Sequence, residues 1–274
     1  MISQRPFENY LLVSDMDGTL LTGEFSIPER NIRAVRRFME KGGLFAVATG
    51  RLMRSAARRL AEIPPNAPCI LANGSIIAHL QDDRILWADA MPPEIVPLLS
   101  DVMREFPDVG TEIYRGREVY ILNATPGTDQ DDGVENSRYR KMPLGEVPQG
   151  DWQKALFAGT PERLRQVQAF VERRKYAGLR FVFSGPLYYE VLSADVSKGS
   201  ALKKLAELLH IPMEHTIAIG DYYNDTELVT AAGFGAAVEG SPLELREHAR
   251  LITGPCAGGA VADLIEHLEN RLRG

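Results

Sequence analysis

Three short apolar runs near the amino terminus, residues 10–14, 44–48 and 68–72, each stop at a polar or glycine-bearing turn and alternate with stretches of helical spacing. Runs too short to be helices and too apolar to face water on either side read as buried strands. Between the first two, Pro28 marks a helix start, Ile32, Val35, Phe38 and Met39 keep one apolar face, and Lys41-Gly42-Gly43 closes the helix. A further helix is expected over residues 52–63. Strand, helix, strand, helix, strand predicts a parallel sheet covered by helices on both faces.

The alternation breaks at residue 83 and returns after residue 186. The intervening order is strand, helix, several strands, helix, strand, with helices expected at 92–105 and 161–174 and strands at 108–114, 119–123, 152–158 and 180–184. Residues 124–150, rich in Pro, Gly and acidic groups and without periodicity, read as a loop. Beyond it come a helix at 199–210, a strand at 216–219, a helix at 225–232, short strands at 234–238 and 249–252, and a last helix at 259–271. The expectation is a discontinuous parallel-sheet domain, residues 1–82 and 187–274, interrupted by an α+β domain at 83–186. A chain of 274 residues is long enough for two cores.

Charge and cysteine content exclude other classes. The net charge of −6 is the wrong sign for a duplex nucleic-acid binder. Cys69 and Cys256 are too few for a disulfide framework. No apolar run approaches a membrane span or a signal-peptide core, so the expected location is the cytoplasm. The five histidines are scattered and form no zinc pattern.

Four polar clusters follow the strands or open the helices. Asp15-Met16-Asp17-Gly18-Thr19-Leu20 ends the first strand. Alone, an Asp-Gly pair is a turn, but carboxylates two apart share a face of extended chain, and Gly18 lets both reach one ligand. Thr49-Gly50-Arg51 offers a hydroxyl and a free N–H at a helix start, an anion site or an ordinary cap. Ser197-Lys198-Gly199 opens another helix, where the macrodipole disfavours a lysine by roughly 0.3–1 kcal/mol. An anion between Lys198 and the helix removes that conflict. In Gly220-Asp221-Tyr222-Tyr223-Asn224-Asp225 the crowded acids repel unless a cation lies among them. Strand ends of an open parallel sheet converge on one crevice. Hard oxygen ligands there suit Mg²⁺. Asn73, at the end of the third strand, is a substrate contact or a turn residue. Arg138, Arg140 and Lys141 in the long loop are a second anion site or a solvated face.

In this order the four clusters resemble the motifs of the haloacid dehalogenase-like phosphatases, and the insertion between the second and third resembles the Cof-type, class IIB branch. The resemblance spans nearly the whole chain, departing from that branch at Val238-Glu239-Gly240-Ser241-Pro242, a loop beside the site. It implies a Rossmann-like doubly wound core with an inserted C2B-type α+β cap. By the same resemblance Asp15 is the nucleophile and Asp17 the acid and base. Mg²⁺ is held by Asp15, the Asp17 carbonyl and Asp221, with Asp225 in support. Met16, Thr49, Gly50, Arg51, Asn73, Lys198 and Asn224 hold phosphate or substrate. The expected substrate is a small phosphorylated metabolite, sugar phosphates first, with pyridoxal phosphate and nucleotide monophosphates also within the range of this branch, and no nucleic-acid or membrane partner. A sugar phosphomutase and a non-catalytic phosphometabolite-binding regulator are the alternative readings, and the motifs do not encode the oligomeric state.

Overall fold

A computed structural model describes residues 5–126, 128 and 138–273. Its central sheet is wholly parallel, in the order Leu251–Ile252, Phe234–Ala237, Thr216–Gly220, Leu11–Ser14, Leu44–Val47. The first strand in sequence therefore has neighbours on both sides, and every residue of Leu11–Ser14 is buried. Helix Glu29–Glu40 packs against Cys256–Arg273, and Lys198–Leu208 packs against Thr226–Ala231. Right-handed crossovers leading away from the central strand in opposite directions put these two pairs on opposite faces, which is the doubly wound arrangement.

Register aligns the strand ends. Ser14 lies opposite Val47 on one side and Ile219 on the other. The residues that follow, Asp15, the 48–51 turn and the 220–225 turn, therefore emerge at one edge of the sheet. The expected third strand is Cys69–Leu71. It joins the parallel sheet through a single bridge, Ala48 to Ile70, and otherwise pairs with Ile76–His79, which pairs in turn with Arg84–Ala88.

The second sheet has six strands in the order Leu179–Gly185, Tyr188–Ser193, Lys154–Ala158, Gly110–Arg115, Glu118–Asn123, Arg138–Lys141. Helices Ile95–Glu105 and Pro161–Arg174 cover one face, where Leu98, Leu99, Val102, Leu164 and Val167 pack on Ile113, Phe157 and Val191. Because side chains alternate along a strand, Tyr114 and Leu156 point the other way and join the core of the parallel sheet. One cap surface thus roofs the crevice.

Three expectations change. The boundary at 186 falls inside a hairpin, since Tyr188–Ser193 pairs with both Leu179–Gly185 and Lys154–Ala158. Gly185-Pro186-Leu187 is a turn within the cap sheet and not a linker. The boundary at 83 cuts the Ile76–His79 hairpin from its partner Arg84–Ala88, which belongs with the first domain. In the expected loop at 124–150, Arg138–Lys141 is a strand and Leu144–Glu146 a single 3₁₀ turn, while 127 and 129–137 lie outside the described residues. Arg138-Tyr139-Arg140-Lys141 sits at a sheet edge, where charge discourages pairing with another chain and erases the apolar alternation that marks a strand.

Candidate active site

Asp15 follows the central strand directly, its N–H donating to the Ile219 carbonyl at 2.9 Å, so its place is fixed by the ladder itself. The buried Lys198 ammonium donates to Asp15 Oδ1 at 2.5 Å and to Asp225 Oδ1 at 2.6 Å. Lys198 is the first residue of helix Lys198–Leu208, behind a reciprocal cap between Ser197 and Ser200. The conflict between a lysine and the helix dipole is thus met by two carboxylates. Asp225 reaches back with its other oxygen to accept from the N–H groups of Asp221 and Tyr222, at 3.0 and 3.1 Å. Thr19 completes the ring by donating to Asp221 Oδ1 at 2.6 Å.

One oxygen from each of Asp15, Asp221 and Asp225 lies within 4.8 Å of the others. Gly18 makes the approach possible: at φ +90° it adopts a left-handed turn, and a Cβ there would stand 2.4 Å from Asp221 Oδ2. Burial, and then the neighbouring Asp225 carboxylate, push the Asp15 carboxyl well above its ordinary value although Lys198 pulls the other way. The same two causes raise Asp221 to about 6. For Lys198, burial disfavours the charge, but Asp15 and Asp225 outweigh it and hold the ammonium above its ordinary range. The cluster thus carries more negative charge than its lysine offsets. Hard oxygens converging with surplus negative charge fit a small divalent cation such as Mg²⁺.

Asp17 stands apart from this cluster. Both its oxygens are held by the Arg51 fork, at 2.7 and 2.8 Å. Arg51 also donates to Ser55 at 3.0 Å, and its N–H donates to Thr49 Oγ1 at 3.1 Å. Asp15, Asp17, Thr49, Gly50, Arg51, Asp221, Asn224 and Asp225 all line one cavity of about 670 Å³. Met16 does not: its side chain is buried in the apolar core, while its carbonyl accepts the N–H groups of Leu20 and Leu21.

Asn73 is fully engaged by protein groups. Its amide donates to Glu190 Oε2 at 2.6 Å and accepts from Asn224 Nδ2 at 3.0 Å. Glu190, on the cap strand Tyr188–Ser193, also accepts from Ser184 at 2.6 Å and pairs with Lys154 at 3.1 Å. Lys154 in turn donates to the Gly50 carbonyl at 2.9 Å. This buried chain joins cap to core beside the second motif. The sequence did not single out Lys154, Glu190 and Ser184 because they stand in three different cap strands and belong to no polar motif. The alternation of Glu190 between Tyr189 and Val191 was the available signal. Arg140 pairs with Glu118 at 2.9 Å on the cap edge, away from the cavity.

A family model described as haloacid dehalogenase-like hydrolase matches residues 12–265. An HMP-PP phosphatase of Cronobacter sakazakii is 28% identical over 262 residues, covering 92% of this chain and 93% of its own. A 5-amino-6-(5-phospho-D-ribitylamino)uracil phosphatase of Bacillus subtilis is 27% identical over 265 residues, covering 94% of each. Among solved structures, a haloacid dehalogenase-like hydrolase of Bacteroides thetaiotaomicron superposes with a TM-score of 0.80 at 25% identity, covering 94% of this chain and 99% of its own. The chain belongs to the haloacid dehalogenase-like hydrolase family. Within that family the motif order and the inserted cap sheet make it a Cof-type phosphatase, a phosphoric monoester hydrolase.

Proposed function

We propose that the chain hydrolyses phosphate monoesters of small metabolites through an aspartyl-phosphate on Asp15, with Mg²⁺ at the acidic cluster. The single observation carrying this is the Lys198 ammonium bridging Asp15 and Asp225 at the end of the central strand, with an Asp221 oxygen close by.

A carboxylate about 4 Å from one phosphate charge is repelled by about 4 kcal/mol at an effective dielectric of 20. Asp15 attacks only where cations offset that cost. Asp15, Asp221 and the Asp17 carbonyl would hold Mg²⁺, and the chemistry such an ion supplies when bound is positive charge against the phosphate oxygens. Lys198 adds its own charge from the protein side, and Thr49, the Gly50 N–H and Asn224 provide donors for the remaining oxygens.

An Asp15 oxygen forms a bond to phosphorus as the bond to the ester oxygen breaks, and Asp17 gives that departing oxygen its proton. Asp17, now a base, takes a proton from water. The resulting hydroxide attacks phosphorus, releasing phosphate and restoring Asp15. The Arg51 fork grips both Asp17 oxygens, and it must open for Asp17 to reach the ester oxygen.

Sugar phosphates, the first expectation from sequence, and a phosphorylated side chain on a heterocycle, as in the compound named for the Bacillus relative, both belong to this reading. A phosphate-release screen over phosphorylated metabolites tests it. Turnover that needs Mg²⁺, stops with EDTA and returns with excess Mg²⁺ is the expected result; metal-independent turnover, or none across the panel, refutes it.

A further inference from the structure

A second cavity, of about 440 Å³, lies between the cap hairpin at residues 115–118 and helix Met53–Arg59 of the core. It shares no lining residue with the crevice around Asp15. Arg54 enters it from the core, and Arg115, Arg117 and Gln153 enter it from the cap.

The carboxylates nearby are mostly engaged elsewhere. One oxygen of Glu118 pairs with Arg140 at 2.9 Å, and the other accepts from the Tyr120 hydroxyl at 2.5 Å. Arg117 reaches over to a core turn, binding the Asp83 carboxylate at 3.3 Å and the Asp83 carbonyl at 2.9 Å. Arg115 donates through Nε to the Gly150 carbonyl at 3.1 Å. The carboxylate it faces, Asp151, stands 3.9 Å away with 81% of its side chain exposed, and so open a pair contributes little. Arg54 is exposed and has no hydrogen-bond or ion-pair partner among the described residues.

Gln153 distinguishes this cavity from a solvated basic face. It is only 6% exposed, and its Oε1 accepts the Gly116 N–H at 2.6 Å. Its amide nitrogen has no partner among the described residues, and a buried donor left without an acceptor is penalised. The arginines that line the cavity with it are donors too. Donors brought together from core and cap suit one acceptor with several oxygens and negative charge. A guanidinium fork meets two oxygens of a phosphate with parallel hydrogen bonds.

We propose that this cavity binds the phosphate group of a small anionic effector, which bridges Arg54 of the core to Arg115 of the cap and holds the cap down. The path to the crevice is short. Arg54 lies three residues beyond Arg51, whose fork holds Asp17, and Gln153 precedes Lys154, which donates to the Gly50 carbonyl. A ligand that needs both sides at once favours the closed arrangement by the difference in its affinity for closed and open forms.

The test is calorimetric titration of the full chain in EDTA, where the acidic cluster has no cation and repels anions. Inorganic phosphate and glucose 6-phosphate are titrated separately, with ionic strength matched by potassium chloride. Saturable binding at one site is expected, weakened about tenfold by Arg54→Gln through loss of a charge-assisted hydrogen bond. Since Arg54 has no described partner, the Tm of the anion-free variant should be unchanged. Tighter binding of glucose 6-phosphate identifies a phosphorylated metabolite as the effector, and equal or tighter binding of inorganic phosphate identifies the free anion. The bound anion should also slow amide exchange at residues 49–51 and 115–118 in the native chain and not in Arg54→Gln. No saturable binding of either anion, or equal affinity in the variant, overturns the site. Binding without slower exchange overturns the bridge.

Discussion

Asp15 is held by backbone on one side and an ammonium on the other, which leaves it little freedom except toward the cavity. On the proposed mechanism, Asp15→Asn removes the charge and most of the nucleophilicity of the attacking group while keeping its shape. Phosphate release should fall below detection, and no covalent phosphate should appear by intact mass. Lys198→Met leaves Asp15 and Asp225 buried without their shared cation. Removing one partner of a buried ion pair costs about 3–5 kcal/mol, and urea unfolding of the metal-free variant should show a loss of that order. Asp221 adds a pH signature. Its folded value of about 6 lies above the ordinary 3.8. Metal-free folded protein therefore binds a proton that the unfolded chain has already lost between those values, and its stability falls as pH rises through that window. A cation must displace that proton below pH 6. The rise in Tm caused by Mg²⁺ should be full at pH 7.5 and shrink markedly by pH 5.5; a pH-independent rise would place the ion elsewhere.

At the level of elements, the decisive device is the start of helix Lys198–Leu208. Ser197 accepts from the Ser200 N–H at 3.0 Å while Ser200 Oγ accepts from the Ser197 N–H at 2.9 Å. The residue between cap and helix body is Lys198 itself, so the cap sets the position of the ammonium. Ser197→Ala should cost about 1 kcal/mol of stability. It should also lower kcat more than a remote cap substitution such as Thr160→Ala at helix Pro161–Arg174, whose side chain likewise accepts an N–H. Equal effects on kcat would mean that the ammonium is placed by its carboxylate partners alone. The 220–225 turn shows the same economy: Gly220 leaves space that a Cβ would take from Asp225, whose side chain would stand 2.3 Å away.

Across the whole molecule, two sheets meet over one crevice and are joined by the buried Lys154–Glu190 pair and its contacts to Gly50 and Asn73. Glu190→Ala leaves the Lys154 charge buried beside a carbonyl, and opening the cap into water relieves it. Amide hydrogen exchange should accelerate along the seam, at residues 49–51 and 73–75 and in Lys154–Ala158, and stay slow in Leu11–Ser14. Uniform acceleration would indicate global destabilisation and no specific clasp. No helix among the described residues is long and apolar enough to cross a membrane.

How much of this was legible in the chain follows from the range of each interaction. The buried strands, the helices between them and the four polar clusters were readable, because apolar periodicity and the residues just after a strand are local properties. Where the cap sheet ends was not: Pro186 resembles a linker until Tyr188–Ser193 is seen to pair back on Lys154–Ala158. Nor were Lys154 and Glu190, whose partnership exists only once two cap strands lie side by side against Gly50 and Asn73. The sequence alone determined which groups gather at the crevice, since those residues stand at strand ends and a parallel sheet brings strand ends together. Only the tertiary structure decided that Asp17 is gripped by Arg51, that Asn73 is spent on Glu190, and that cap residues such as Tyr114, Leu156 and Tyr188 line the cavity beyond them. Those outcomes depend on side chains distant in the chain competing for the same partners in a space that packing alone defines.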